Sequence, residues 1–153
     1  LEVCMRIPMK VDYGVRALVD LATNYEESES ATISTAVIAL RQQIPEQYLD
    51  RILLSLKQAG LVASTRGPHG GHKLSKNPYH VTLSMVMNAL SDAPTAPVNC
   101  ILEPDDCSLS AACAQREVWR SVEEAIDGIL NATTIGYMAA QQSQIVANVN
   151  LGQ

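Results

Sequence analysis

The stretch LVASTRGPHGGHKLSK, residues 61–76, decides the fold. Leu61 to Thr65 reads as a short strand, RGPHGG supplies the Gly and Pro chemistry of a chain reversal, and HKLS reads as the returning strand. A β-hairpin is therefore predicted. Its tip carries Arg66, His69 and His72 around three glycines, with Lys73 and Lys76 just behind.

Upstream of the hairpin the apolar period lengthens to three and four residues. Leu49, Ile52, Leu53, Leu56 and Ala59 form one buried stripe that stops at Gly60, and Pro45 suits the first turn of such a helix. ISTAVIALRQQ gives a short helix to about Gln42, with Ser34 or Thr35 as N-cap. From Lys10 to about Asn24, Val11, Val15, Leu18, Val19 and Ala22 mark a first amphipathic helix, which the polar stretch YEESESAT ends. Three helices and then a hairpin is the order of a winged helix-turn-helix, so the fold class is mainly α with a small β-hairpin.

Downstream, Thr82 caps a helix to Leu90, and the Pro-containing linker APTAPVN follows. Beyond Ala111 the chain reads as helical to about Asn131, with Val118, Val122, Ala125, Ile126, Ile129 and Leu130 on one face. A long amphipathic helix attached to a small domain needs a partner, and a C2 homodimer through this dimerisation helix supplies one. ATTIGYMAA adds one more capped turn or helix, and QQSQIVANVNLGQ reads as a polar, frayed tail. The chain divides into a winged helix-turn-helix domain over 5–80, a thiol loop with the dimerisation helix over 81–139, and the tail over 140–153.

Composition limits the function classes. With 153 residues, 47% hydrophobic, the chain can bury one real core but not two large ones. There is no run of 18 apolar residues, and LEVCMRIPMK lacks the apolar middle of a signal peptide; a soluble cytoplasmic protein with reduced thiols and no membrane partner is expected. The net charge of −5 argues globally against a phosphate-binding protein, but the acidity is uneven. Residues 1–80 hold nine Lys and Arg against eight Asp and Glu, and residues 81–153 hold two against eight, which leaves the first half free to present a basic face.

In a helix-turn-helix the second helix enters the major groove and its N-terminal residues meet base edges. Here that helix begins near Pro45 and would expose Glu46, Gln47, Tyr48, Asp50 and Arg51. Gln and Arg make bidentate contacts to adenine and guanine, an acid accepts from cytosine, and Tyr holds a phosphate or a thymine methyl. Arg66, His69 and Lys73 of the wing complete the candidate set, since an Arg at a hairpin tip can enter a narrow minor groove. His72 and His80 are read as wing residues rather than metal ligands.

The second candidate site is NCILEPDDCSLSAAC, residues 99–113, whose Cys100, Cys107 and Cys113 are spaced C-x6-C-x5-C. Structural zinc favours closer pairs, whereas a wider iron–sulfur cluster accepts longer intervals. Cluster, zinc, redox thiol and inert thiol all remain open on the residues alone. Nothing resembles a catalytic constellation, so no enzyme is expected, and a small iron–sulfur electron carrier would have no use for a wing.

MRIPMKVDYGVRALVDLA, YLDRILLSLKQAGLVASTRGPHGGHKLSK and the three-cysteine window together resemble the iron–sulfur-cluster regulator family of bacterial winged-helix transcription factors, the IscR, NsrR and RirA types. The resemblance spans roughly Met5 to Ala139. It implies a homodimer on a palindromic DNA operator, with a cluster held by Cys100, Cys107 and Cys113 beside the dimer helix. The IscR type has a histidine three residues beyond the last cysteine; Arg116 stands there and cannot ligate. The NsrR type has an aspartate near the start of the first helix that reaches over from the other subunit, and Asp12 matches it, with Cys4 a weaker candidate. An oxygen ligand and the NsrR and RirA types favour [4Fe-4S] over [2Fe-2S]. A cluster-free thiol- or zinc-dependent regulator of the same fold is the alternative.

Overall fold

The computed structural model describes residues 7–25, 32–91 and 99–151. Cys4, most of YEESESAT and all of the Pro-containing stretch APTAPVN except Asn99 lie outside the described residues. Helix α1 spans Met9–Thr23, α2 Thr35–Gln42 and α3 Glu46–Gln58. Strands β1 (Val62–Thr65) and β2 (Gly71–Leu74) form an antiparallel ribbon in which Val62 pairs with Leu74 and Thr65 with Gly71. A 3-10 turn at Pro78–His80 leads to α4 (Leu83–Leu90), and beyond the linker come α5 (Asn99–Leu102), α6 (Ala114–Ala132) and α7 (Ile135–Leu151).

Local chemistry sets these limits. Ser34 is the N-cap of α2, accepting from the Val37 N–H, and Thr82 caps α4 by accepting from Met85 N–H. Gly60, at φ 71°, follows α3 and turns the chain into the ribbon, a left-handed conformation that costs glycine little. On α3 the residues Leu49, Ile52, Leu53 and Leu56 are all 1% exposed or less, and each contributes about 1.5–3 kcal/mol by leaving water. They meet Leu18 of α1, Ile38 of α2, Val62 and Leu74 of the ribbon, and Val86 and Leu90 of α4 in one core. Gly14 is buried in α1 because Leu90 Cδ1 occupies the place where a Cβ would be.

Three expectations need correction. Ala59 is exposed: α3 ends at Gln58, so its apolar stripe closes at Leu56. Helix α6 starts at Ala114 rather than at Ala111, because Ser110–Ala112 form a separate 3-10 turn ahead of Cys113. The tail is not frayed but belongs to α7, which runs helically to Leu151. Its first residue, Ile135, is fully buried in the core, and Ile135 N–H donates to the Val81 carbonyl at 2.8 Å while Leu83 N–H donates to that of Thr133 at 3.0 Å. The chain leaving α6 is thereby tied back to the start of α4. By contrast α6 buries no residue in the single chain, and Val118 and Ile129 are exposed. Among the described residues no helix is long and apolar enough to cross a membrane.

Candidate nucleic-acid interface and thiol loop

Helices α2 and α3 are joined by Gln43-Ile44-Pro45, with Gln43 held at φ 54°. A non-glycine residue in that region is disfavoured, and besides the Ile44 N–H bond to the Ala39 carbonyl at 3.0 Å the turn is braced from outside. Helix α1 does this. Arg16 donates to the Gln42 carbonyl, and the buried Asp20 accepts from Gln42 Nε2 at 3.1 Å and from Arg41 at 3.4 Å. The Arg16 guanidinium also lies 5.4 Å over the Tyr13 ring, and Tyr13 meets Tyr48 of α3 edge-on at 5.8 Å. Arg16 and Asp20 were not singled out from the sequence, although an acid at a buried i+4 position of an amphipathic helix was the signal available.

The exposed face of α3 carries Glu46, Gln47, Asp50 and Arg51. Tyr48, expected among them, is half-buried, and its contact with Tyr13 makes it part of the α1–α3 junction. Arg66 and His69 are exposed at the wing tip. Lys73 is half-buried and, next to His72 in β2, points to the opposite face of the ribbon.

Between wing and α3 lies an open groove of about 580 Å³, floored by the start of α2 and lined by Glu46, Asp50, Lys57, Arg66 and His72 among others. Its geometry depends on a contact that the hairpin reading missed. Ile33, just before α2, bridges to His72: Ile33 N–H donates to the His72 carbonyl at 2.9 Å and His72 N–H to that of Ile33 at 2.8 Å. Thr32 Oγ1 adds a bond to the His69 carbonyl at 3.1 Å. The wing is thus bonded to the helix-turn-helix by main chain. The His72 ring completes the junction, with Nε2 2.9 Å from Thr35 Oγ1 and Nδ1 2.9 Å from Ser64 Oγ. Burial pushes its pKa below the ordinary 6.5, helped by Lys57 and opposed by Asp50.

The thiol loop is a chain of single turns: α5, a 3-10 turn at Pro104–Asp106 and another at Ser110–Ala112. Cys100, Cys107 and Cys113 are free thiols, each half-buried. Arg116, in the place of a ligand histidine, is a clasp instead: its Nε donates to the Cys100 carbonyl at 3.2 Å and a terminal nitrogen to the Ser110 carbonyl at 3.5 Å. Among the described residues no three His, Cys, Asp or Glu side chains gather closely enough to hold a metal ion. Asp12 is exposed on α1 and pairs with Arg16 at 3.8 Å.

An iron–sulfur cluster fits this loop in donor chemistry. Three free thiols lie within one segment, and Ser110 Oγ in the loop and Trp119 Nε1 on α6 are buried without a hydrogen-bond partner. Such donors cost about 1–3 kcal/mol each unless an acceptor is supplied. The geometry of the single chain does not gather the three sulfurs into one site.

The model of the Rrf2 family, described as iron-dependent transcriptional regulators, matches residues 7–141. An rrf2-like HTH-type transcriptional regulator of Rhodobacter capsulatus is 34% identical over 139 residues, covering 88% of this chain and 92% of its own. The HTH-type transcriptional regulator IscR of Photobacterium profundum is 31% identical over 156 residues, 96% of this chain and 88% of its own. Among solved structures, CymR, the global cysteine regulator of B. subtilis, superposes with a TM-score of 0.75 at 29% identity, over 90% of this chain and 98% of its own.

Proposed function

The chain belongs to the Rrf2 family of transcriptional regulators, and on that premise we propose that it acts in the cytoplasm as a homodimer that binds a palindromic DNA operator and senses iron–sulfur, redox or nitric oxide status through its thiol loop. The observation that carries the DNA-binding part is the main-chain bridge between Ile33 and His72, which makes one rigid reading surface of wing and helix-turn-helix. On that surface Gln47, Asp50 and Arg51 face base edges, Tyr48 stands behind them against α1, and Arg66 and His69 approach the neighbouring minor groove or backbone. Lys73 contributes charge from the ribbon's other face.

Cys100, Cys107 and Cys113 would hold the cluster, with Asp12 of the partner subunit as fourth ligand. [4Fe-4S] is favoured over [2Fe-2S]. When bound, the cluster supplies sensitivity to iron, oxidants and nitric oxide. What the chain itself supplies is coupling. Arg16 reaches both Asp12 and the Gln42 carbonyl at the turn before α3, so engagement of Asp12 elsewhere frees Arg16 to change its hold on that turn. Ligand binding can shift the reading heads only by its differential affinity for the two arrangements.

Anaerobic protein supplied with iron and sulfide, followed by a visible spectrum and an anisotropy titration on promoter DNA, tests this reading. Charge-transfer absorption together with a difference in affinity between loaded and unloaded protein supports it; equal, weak, sequence-independent binding by both forms rules it out. The ungathered sulfurs and the likeness to CymR favour a second reading, a cluster-free thiol regulator of the same fold. A colourless protein that still binds DNA specifically would select it.

A further inference from the structure

We propose that His72 is a positioning residue for DNA binding: held between Ser64 of the wing and Thr35 of α2, its ring fixes the wing at one distance from α3 and so sets which duplexes the protein accepts. The inference rests on the DNA-binding reading above.

A neutral imidazole has one donor and one acceptor nitrogen, and a hydroxyl can take either complementary role. Both ring nitrogens sit 2.9 Å from a hydroxyl, one on β1 and one at the first residue of α2. The ring's hydrogen-bonding capacity is therefore spent inside the protein. His72 lines the groove but has nothing left with which to read a base, so any effect it has on DNA passes through the wing it holds. The Ile33 bridge joins β2 to the segment before α2 at one residue pair, with the Thr32 bond to the His69 carbonyl beside it. The ring adds a side-chain tie from β2 to the first residue of α2, and its bond to Ser64 within the ribbon holds the ring in the orientation that makes this tie. Asp50 and Lys57 of α3 lie across the groove from the same ring, so the distance it fixes is the distance from wing to reading helix.

Specificity then separates from affinity. Non-specific binding is set by phosphate charge and tolerates a loose wing, whereas a selected sequence demands that wing and α3 reach their grooves together.

The test uses a duplex enriched from a random-sequence library by the wild-type protein, with a scrambled duplex as reference. The readout is the ratio of the two affinities, with melting curves to confirm folding. Thr35→Val and Ser64→Ala are each expected to lower the ratio about fivefold, the equivalent of one net hydrogen bond, and His72→Phe about twentyfold. Affinity for the scrambled duplex stays unchanged. Thr35→Ser and Ser64→Thr, which keep the hydroxyl, retain the wild-type ratio; a residue of purely structural importance would show no such rescue. Should His72→Phe not fold, the two hydroxyl variants decide. Unchanged ratios in the folded variants, or a fall with Thr35→Ser as large as with Thr35→Val, overturn the proposal alone. Failure of the wild type to enrich any sequence overturns the DNA-binding reading and this inference with it.

Discussion

Gly71→Ala is the most pointed perturbation of the wing. Gly71 pairs with Thr65 at the turn end of the ribbon, and a Cβ there would sit 2.6 Å from both the carbonyl carbon and the oxygen of Ile33 and 2.9 Å from Ser34 N. Ordinary contact begins at 3.4 Å, so the two segments must separate by roughly 0.8 Å. All three atoms are main chain and cannot rotate aside. That separation stretches the Ile33–His72 hydrogen bonds from 2.8 and 2.9 Å to roughly 3.6 Å, outside the useful range. Two bonds at about 1 kcal/mol each give a loss of about 2 kcal/mol. For a chain of this size that is a fall in Tm of about 4–8 °C. Thermal unfolding followed by circular dichroism measures it, and hydrogen exchange at the amides of Ile33 and His72 should rise in parallel. A variant that melts with the wild type and keeps both amides protected would refute the claim that this junction holds the wing.

Further expectations concern the core, the wing histidine and the thiols. Gly14→Ala places a Cβ 2.2 Å from Leu90 Cδ1, itself 2% exposed; overpacking of about 1–3 kcal/mol outweighs a helix-propensity gain of up to about 1 kcal/mol, so the variant should melt lower, as calorimetry would register. Burial holds the His72 pKa below 6.5, so near that pH the unfolded chain binds a proton that the folded chain refuses. This contribution to stability is complete above pH about 6.5 and is lost as pH falls through the folded value, a slope that His72→Gln should flatten in urea melts. Cys107→Ala should abolish visible absorption after anaerobic loading with iron and sulfide while leaving Tm within about 2 °C, because Cys107 has no core role.

The reading head was legible because its signals are local. Pro45, the four-residue stripe of α3, Gly60 and the RGPHGG turn each dictate backbone within a few residues of themselves. Ser34 and Thr82 announced their helices by cap chemistry. What escaped were contacts between segments far apart in sequence. Nothing in ATIS marks Ile33 as the partner of His72, 39 residues on, and nothing in the first helix marks Arg16 as the clamp on the Gln42 carbonyl. The part of α7 beyond Ala140 escaped for another reason. Its Ala and Gln residues favour helix, but beyond Ala140 every described side chain up to Asn150 is exposed, so no apolar period announces it. The cysteine spacing was plain in the sequence, yet the sulfurs do not converge in one chain. Sulfurs supplied by separate turns are placed by tertiary structure, which local pattern does not write.

The central claim is that α3 and the wing read DNA together, and a salt titration of operator binding tests it most directly. Anisotropy with an enriched duplex, for wild type and Arg66→Ala, should give log affinity falling linearly with log salt, with a slope shallower by about 1 in the variant and with a scrambled duplex bound far more weakly at every salt. Equal affinity for both duplexes, or a slope that Arg66→Ala leaves untouched, would contradict it.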